Sequence, residues 1–137
     1  MKKLLLIDTG PLVAYFDRAE AHHDWAVAAL SNHVGRIVTC QPVLAEAWHL
    51  LGRTHNGRDA LLRLIEEKLL GVELNLLHEV ADIRRLIRRY SNIPMSMADA
   101  CMVRLAETHR APICTLDSDF RVYRLSDKSV IDVVSPL

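Results

Sequence analysis

Short apolar runs alternate with longer stretches of helical periodicity along the whole chain. The apolar runs have the length of buried strands, and we predict strands at residues 4–7, 36–40, 72–77, 111–116 and 129–134. Between them, the spacing of apolar residues and the capping signals predict helices at residues 11–16, 22–31, 42–51, 58–70, 79–90, 96–109 and 119–125. This alternation favours an α/β fold in which helices cover both faces of a parallel sheet.

The length of the chain fits one such domain. Half of its 137 residues are apolar, which is enough to build a single core, and we expect residues 1–137 to form one domain. In parallel sheets, ligands bind beyond the carboxyl ends of the strands. Residues that directly follow predicted strands are therefore the first candidates for a functional site.

Two aspartates stand at the ends of predicted strands. Asp8 follows the first strand and Asp117 follows the fourth. For either residue alone, a turn or helix-cap role is the simpler explanation. If the two strands are neighbours, both carboxylates emerge at the same edge of the sheet. Asp119, two residues further on, either completes this group or caps the short helix that follows.

Glu46 is harder to explain as a structural residue. It lies in the predicted helix 42–51, beside Val43, Ala47 and Leu50, and so borders the apolar stripe of that helix. We therefore expect its carboxylate to be buried, which costs roughly several kcal/mol for an unpaired charge. Since no lysine or arginine stands three or four residues away, a metal ion would compensate the charge.

Asp99 has two competing explanations. With Ser96 it matches a capping box at the start of the predicted helix 96–109, which would give it a structural role. At the start of a helix near the edge of the sheet, the same carboxylate would also be placed to bind a ligand. The local sequence does not separate these roles.

The four acids Asp8, Glu46, Asp99 and Asp117 together predict a cation site. Carboxylate oxygens without a histidine or cysteine cluster suit Mg²⁺ or Mn²⁺. Such an ion can activate water and stabilise charge on a phosphate group. The seven histidines form no HExxH motif, which disfavours a zinc site. The three cysteines lie in apolar segments, so we expect them to be buried thiols.

The distribution of charge gives weaker indications. The formal net charge is zero, so charge alone does not indicate a nucleic-acid partner. A basic stripe of four arginines occupies the predicted helix 79–90. The simpler explanation is that these arginines form a solvated helix face. The functional explanation is that they bind RNA or an acidic partner. Arg53 and Arg58, after the helix with Glu46, are similar candidates. The stripe consists of Arg84, Arg85, Arg88 and Arg89.

The N-terminal segment does not predict export. The sequence begins MKKLLLIDTG, and its apolar run is too short for a signal peptide. No stretch of the chain reaches membrane-spanning length. We therefore expect a cytoplasmic protein without a membrane segment.

Four segments of the chain together resemble the PIN-domain family. They are LLIDTGPLVAYFDRAEAHHDWA, LAEAW, SMADACMVRLAE and ICTLDSDF. The resemblance covers essentially the whole chain, and it is greatest to the small endoribonuclease toxins of type II toxin–antitoxin modules, the VapC-type proteins. It implies a three-layer α/β/α sandwich with a five-stranded parallel sheet.

The resemblance also implies a function. Members of this family hydrolyse RNA phosphodiester bonds with Mg²⁺ or Mn²⁺ and an activated water molecule, and a VapC-type toxin would form a homodimer and bind an antitoxin. By position, the resemblance implies catalytic and metal-binding roles for Asp8, Glu46, Asp99 and Asp117. Asp119 remains the fifth candidate ligand, and Thr9 and Thr115 are the candidate supporting residues.

Other functions stay open at this point. A housekeeping RNA-processing PIN nuclease would carry the same acids. A receiver-like signalling domain would also bind Mg²⁺ at strand ends, but it needs an aspartate after its third strand, where VELNLL ends without one. A catalytically inactive PIN scaffold is a further alternative, against which the intact acids argue.

Overall fold

The computed structural model describes residues 3–137, and in this range it contains one five-stranded sheet flanked by six α-helices. The strands are β1 (Lys3–Ile7), β2 (Gly35–Thr39), β3 (Gly71–Val72), β4 (Ile113–Cys114) and β5 (Val133–Val134). The helices are α1 (Thr9–Phe16), α2 (His23–Ser31), α3 (Gln41–Leu50), α4 (Gly57–Glu66), α5 (Leu76–Arg89) and α6 (Met97–His109). Two 3₁₀ turns follow α3 and β4, at Leu51–Arg53 and Ser118–Arg121.

All five strands are parallel, in the order β3-β2-β1-β4-β5. β1 lies at the centre, and its Leu6 is fully buried, as are Val38 of β2 and Ile113 of β4. The predicted α/β fold with a five-stranded parallel sheet is thus confirmed. Because β1 and β4 are neighbours, Asp8 and Asp117 follow adjacent strands at the same edge of the sheet.

The third strand is much shorter than predicted. The alternating segment VELNLL predicted a strand over residues 72–77, but β3 ends at Val72 and α5 begins soon after. Leu74 adopts a φ of 87°, which ends the extended conformation. Asn75 then caps α5 by accepting a hydrogen bond from the backbone N–H of Leu77 at 3.0 Å. The prediction was wrong because so short an alternating segment does not distinguish a strand from the first turn of a helix.

The other corrections concern the ends of elements. α4 ends at Glu66 rather than at residue 70, and Lys68 beyond it takes a left-handed conformation with a φ of 63°. Three predicted elements are also shorter in the structure: 111–116 reduces to β4, 129–134 to β5, and 119–125 to the 3₁₀ turn Ser118–Arg121.

The three cysteines lie in the core close to the carboxyl edge of the sheet. Cys40 directly precedes α3, Cys101 lies in α6, and Cys114 ends β4. All three are buried and free, which confirms the prediction of buried thiols. Burial raises the pKa of the Cys114 thiol to about 12, so this thiol is un-ionised at neutral pH.

The longest helix, α5, spans 14 residues and is amphipathic. Its Ile83 and Leu86 are buried, whereas the arginines in its second half are exposed. Among residues 3–137, no helix combines the length and the apolar character needed to cross a membrane.

Candidate active site

Carboxylates from four parts of the chain line one cavity at the carboxyl ends of β1 and β4. The cavity has a volume of about 370 Å³. The structure therefore brings together the four acids that the sequence singled out, while their chemical roles stay predictions. The lining residues are Asp8, Thr9, Gly10, Glu46, Ser96, Asp99, Leu116 and Asp117.

Asp8 is the most deeply buried of the four acids. Its residue is 6% exposed, and the Thr115 hydroxyl donates a hydrogen bond to its Oδ2 at 2.9 Å. Burial raises the pKa of Asp8 to about 6, and the negative charges of Asp99 and Asp117 act in the same direction. A cation bound in the cavity would therefore favour the charged form of Asp8.

Thr115 connects the two strands at the base of the cavity. Its side chain is fully buried, and its hydroxyl donates to Asp8 while accepting a hydrogen bond from the backbone N–H of Asp117 at 2.9 Å. One hydroxyl can do both because it carries a proton and two lone pairs. The two strand-end aspartates are thereby held in a fixed relation, and the supporting role of Thr115 in catalysis stays a prediction.

Asp117 lines the cavity and also begins the 3₁₀ turn after β4. Its Oδ1 accepts a hydrogen bond from the backbone N–H of Asp119 at 2.9 Å, so the capping role that the sequence left open is present. Asp119 does not line the cavity. Its proposed role as a fifth ligand stays a prediction, because the structure does not place its side chain with the other four.

Glu46 reaches the cavity from α3, but its environment differs from the predicted one. The sequence predicted a buried carboxylate, whereas Glu46 is exposed. The Thr9 hydroxyl donates a hydrogen bond to its Oε1 at 2.7 Å. The prediction of burial was wrong because apolar neighbours within a helix do not determine what packs opposite a given side chain, and the open cavity lies there.

Asp99 combines the two roles that the sequence left open. Ser96 and Asp99 form a reciprocal capping box, with both hydrogen bonds at 3.0 Å. The same carboxylate is half-buried and lines the cavity. Burial raises the pKa of Asp99, and the charges of Asp117 and Glu46 add to the effect. A carboxylate has two oxygens, so capping by Oδ2 leaves Oδ1 available to the cavity.

The donor set of the cavity fits a hard divalent cation. No lysine, arginine or histidine is among its lining residues, so nothing there neutralises the four carboxylates. Within the described residues, no three acidic, histidine or cysteine side chains stand close enough to form a ready-made cage. Mg²⁺ is commonly held by one or two carboxylates while it keeps several waters, and an open acidic cavity suits that mode of binding.

The arginines predicted to bind RNA or a partner do not line this cavity. Arg53 donates to Asp17 at 3.1 Å and also pairs with Glu20. The Nε of Arg58 donates to the Trp48 carbonyl at 2.8 Å, and its guanidinium lies over the Trp48 ring. Both side chains thus contact other groups of the same chain, and the binding role assigned to them stays a prediction.

Two lining residues have a role that the sequence did not reveal. Ser96 was assigned only to the helix cap, although it also faces the cavity. Gly10 was assigned only to the break after β1. A Cβ atom on Gly10 would lie 3.1 Å from the Cβ of Leu116, so glycine lets the first turn of α1 approach the end of β4. The Asp-Thr-Gly-Pro sequence gives no signal for this contact.

Comparison with known proteins identifies the family. The model of the PIN-domain family matches residues 5–125. Ribonuclease VapC26 of Mycobacterium tuberculosis is 33% identical over 118 residues, which cover 82% of this chain and 86% of that relative. The chain belongs to the PIN-domain family. The resemblance seen in its sequence is thereby confirmed, and the receiver-like alternative is excluded.

Two solved structures share the fold. VapC20 of Mycobacterium tuberculosis, described as a toxin that cleaves the sarcin–ricin loop, has a TM-score of 0.78 and 20% identity, covering 86% of this chain and 93% of that chain. VapBC2 of Rickettsia felis, bound to a DNA fragment from its promoter, has a TM-score of 0.61 and 12% identity, covering 96% and 98%. At these identities the likeness concerns the fold alone.

Proposed function

We propose that this chain is a divalent-metal-dependent endoribonuclease and the toxin component of a type II toxin–antitoxin pair. The observation that carries the proposal is the cavity in which Asp8, Glu46, Asp99 and Asp117 meet without a neutralising cation. The name of ribonuclease VapC26 supports RNA as the substrate. PIN-domain VapC nucleases generally depend on divalent metals, and here we assign Mg²⁺ or Mn²⁺.

Asp8, Asp99 and Asp117 would hold the cation, and Glu46 would act on the attacking water. When bound, the cation supplies charge that stabilises the phosphate under attack and favours ionisation of water. Asp8 is fixed by the Thr115 hydroxyl and Asp99 by the cap with Ser96, so two of the ligands are oriented before any substrate arrives. Such preorganisation avoids rearrangement of polar groups during the reaction.

Glu46 has a different part in the proposed reaction. Its Oε1 accepts the hydrogen bond from Thr9, and the exposed carboxylate keeps Oε2 for the substrate side. We assign this atom to accept a proton from the water molecule that attacks phosphorus. The bond from oxygen to phosphorus then forms as the bond to the leaving ribose oxygen breaks, and this oxygen takes up a proton from solvent, which completes the cut.

The proposal includes two protein partners. The structure of VapBC2 from Rickettsia felis, bound to a DNA fragment from its promoter, supports a pairing of this kind, and we assign an antitoxin partner to this chain. We also retain the homodimer implied by the family and a cytoplasmic location, where RNA is available. A neighbouring gene for a short DNA-binding protein would support the toxin role over housekeeping RNA processing.

The direct test is cleavage of total RNA with and without Mn²⁺, followed by mapping of the new ends. We expect the wild type to cut at defined sites only with the metal, and Asp8→Asn to be inactive. Asp59→Asn is the matched control, because Asp59 is an exposed acid in the first turn of α4. Equal cleavage by the wild type and Asp8→Asn would contradict the proposed function.

The hydrogen bond from Thr9 to Glu46 has a measurable consequence. We expect Thr9→Val to lower the kcat of RNA cleavage about tenfold, the order of one hydrogen bond to a charged group. Thr9→Ser keeps the hydroxyl and should keep most of the activity. If Thr9→Val and Thr9→Ser cleave equally well, the hydroxyl does not orient Glu46.

A further inference from the structure

Most arginines of this chain are already engaged with other groups of the same chain. The sequence contains thirteen arginines. Six pair with carboxylates: Arg36, Arg53, Arg63, Arg85, Arg104 and Arg110. Three donate to backbone carbonyls: Arg58, Arg121 and Arg124. Within residues 3–137 the remaining four have no such partner: Arg18, Arg84, Arg88 and Arg89. All of these except Arg18 lie in the last two turns of α5.

The second half of α5 lies level with the start of α6, the turn that carries Asp99. α5 and α6 pack together and are joined by residues 90–96, so they run antiparallel. Arg104 of α6 donates to Glu79 of α5 at 2.9 Å, which fixes their relative height. Arg84 comes five residues after Glu79, and Asp99 comes five residues before Arg104. Because all helices rise equally per residue, Arg84 and Asp99 lie at about the same height.

The end of α5 is firmly attached at this edge of the sheet. Tyr90 is the C-cap residue of α5. Its ring packs edge-on against the ring of Tyr123, with 5.0 Å between the ring centroids. The Tyr123 hydroxyl donates to the Pro94 carbonyl at 2.8 Å, and the Tyr90 hydroxyl accepts from the backbone N–H of Arg124 at 2.8 Å. Arg89 lies over the Tyr90 ring, so the arginines extend from a rigid support.

The free arginines are also spaced for a chain of phosphates. Arg84 and Arg88 are exposed and stand one helical turn apart, about 6 Å along the axis and about 40° around it. The acids of the same helix do not neutralise them, because Glu79 and Asp82 both pair with Arg104. Two adjacent guanidinium groups can therefore bind successive phosphates of one strand.

From this arrangement we propose that Arg84, Arg88 and Arg89 bind the phosphate backbone of single-stranded RNA next to the scissile bond. The inference rests on the RNA cleavage proposed above and adds the surface that holds the substrate. Without metal the cavity carries four acids and repels a polyanion, so attraction of the strand beyond the scissile phosphate must come from cations outside the cavity. On this chain, whose net charge is zero, these three arginines supply it.

The test separates binding from cleavage. Binding of a short single-stranded oligoribonucleotide of mixed sequence is measured in EDTA over a range of salt concentrations, for the wild type and for Arg84→Gln/Arg88→Gln. The matched control is Arg18→Gln/Arg63→Gln, which removes two exposed arginines outside α5. We expect Arg84→Gln/Arg88→Gln, the α5 variant, to bind RNA about tenfold more weakly, and the control variant to bind like the wild type. The slope of the logarithm of the binding constant against the logarithm of the salt concentration should be less steep by about 1.4, the value for two phosphate contacts on a single strand.

Cleavage kinetics with Mn²⁺ complete the test. We expect the α5 variant to show a higher KM with a similar kcat, because backbone contacts hold the substrate and the transition state alike. Wild-type cleavage together with equal RNA binding by the α5 and control variants would overturn this inference and leave the proposed function intact. The inference is also overturned if the α5 variant binds RNA like the wild type but loses binding of an acidic polypeptide. In that case the arginines of α5 form a docking site for a protein. If the wild type neither binds nor cuts RNA, both proposals fail.

Discussion

The Asp99→Asn variant is expected to cleave RNA with a kcat at least about a hundredfold lower than that of the wild type, while it keeps its fold. This is the order of the loss when one preorganised charge-stabilising group is removed. Asparagine retains a side-chain oxygen that can accept the hydrogen bond from the backbone N–H of Ser96, so the helix cap survives the change. What is lost is a negative charge in the cavity. The measurement is kcat for a defined RNA substrate, with a thermal melt of each variant.

Ser96→Ala gives the complementary result. It removes the hydroxyl that accepts from the backbone N–H of Asp99, which should lower the free energy of unfolding by about 1 kcal/mol. Because Asp99 keeps its charge, most of the cleavage activity should remain. If instead Asp99→Asn stays active while Ser96→Ala is inactive, Asp99 is a capping residue only.

Metal-free protein is expected to lose stability as the pH rises from 4 to 7.5. The pKa of Asp8 is raised from 3.8 to about 6 in the folded state, so the folded protein binds this proton more tightly than the unfolded chain does. Its contribution to stability is therefore fully present below pH 3.8 and is lost as the pH rises through about 6. A shift of this size corresponds to roughly 3 kcal/mol.

The control for this pH effect is Asp8→Asn, which has no proton to release. Subtracting its unfolding free energy from that of the wild type at each pH isolates Asp8 from the other carboxyl groups. Millimolar Mn²⁺ should raise the wild-type Tm more at pH 7.5 than at pH 5, since the charged form binds the cation, and should raise that of Asp8→Asn much less. A wild-type melt that Mn²⁺ leaves unchanged at both pH values would count against the metal site.

Much of the site could be predicted from the sequence because strand ends are easy to find. The apolar run before Asp8 and the one before Asp117 mark buried parallel strands, and such strands place the residues that follow them at one edge. What the sequence did not supply was the order of the strands. The structure shows that β1 and β4 are neighbours, and only this pairing brings the two aspartates together.

Glu46 shows where prediction from one helix stops. Its position beside an apolar stripe correctly singled it out, but the inferred burial was wrong. The period of a helix describes the helix itself, whereas exposure depends on what the rest of the chain places opposite. The error in β3 has the same origin, since Leu74 turns the chain and Asn75 starts α5 where apolarity alone favoured a longer strand.

The capping box of α6 ties the proposed activity to the least stable part of a helix. Ends of helices open more readily than their centres, and they do so without unfolding of the whole domain. Because Asp99 serves both the cap and the cavity, opening of this first turn would disperse the acids while the core stays folded. As the urea concentration is raised, RNA cleavage should therefore be lost before the global unfolding transition, so the protein would pass through a folded but inactive state.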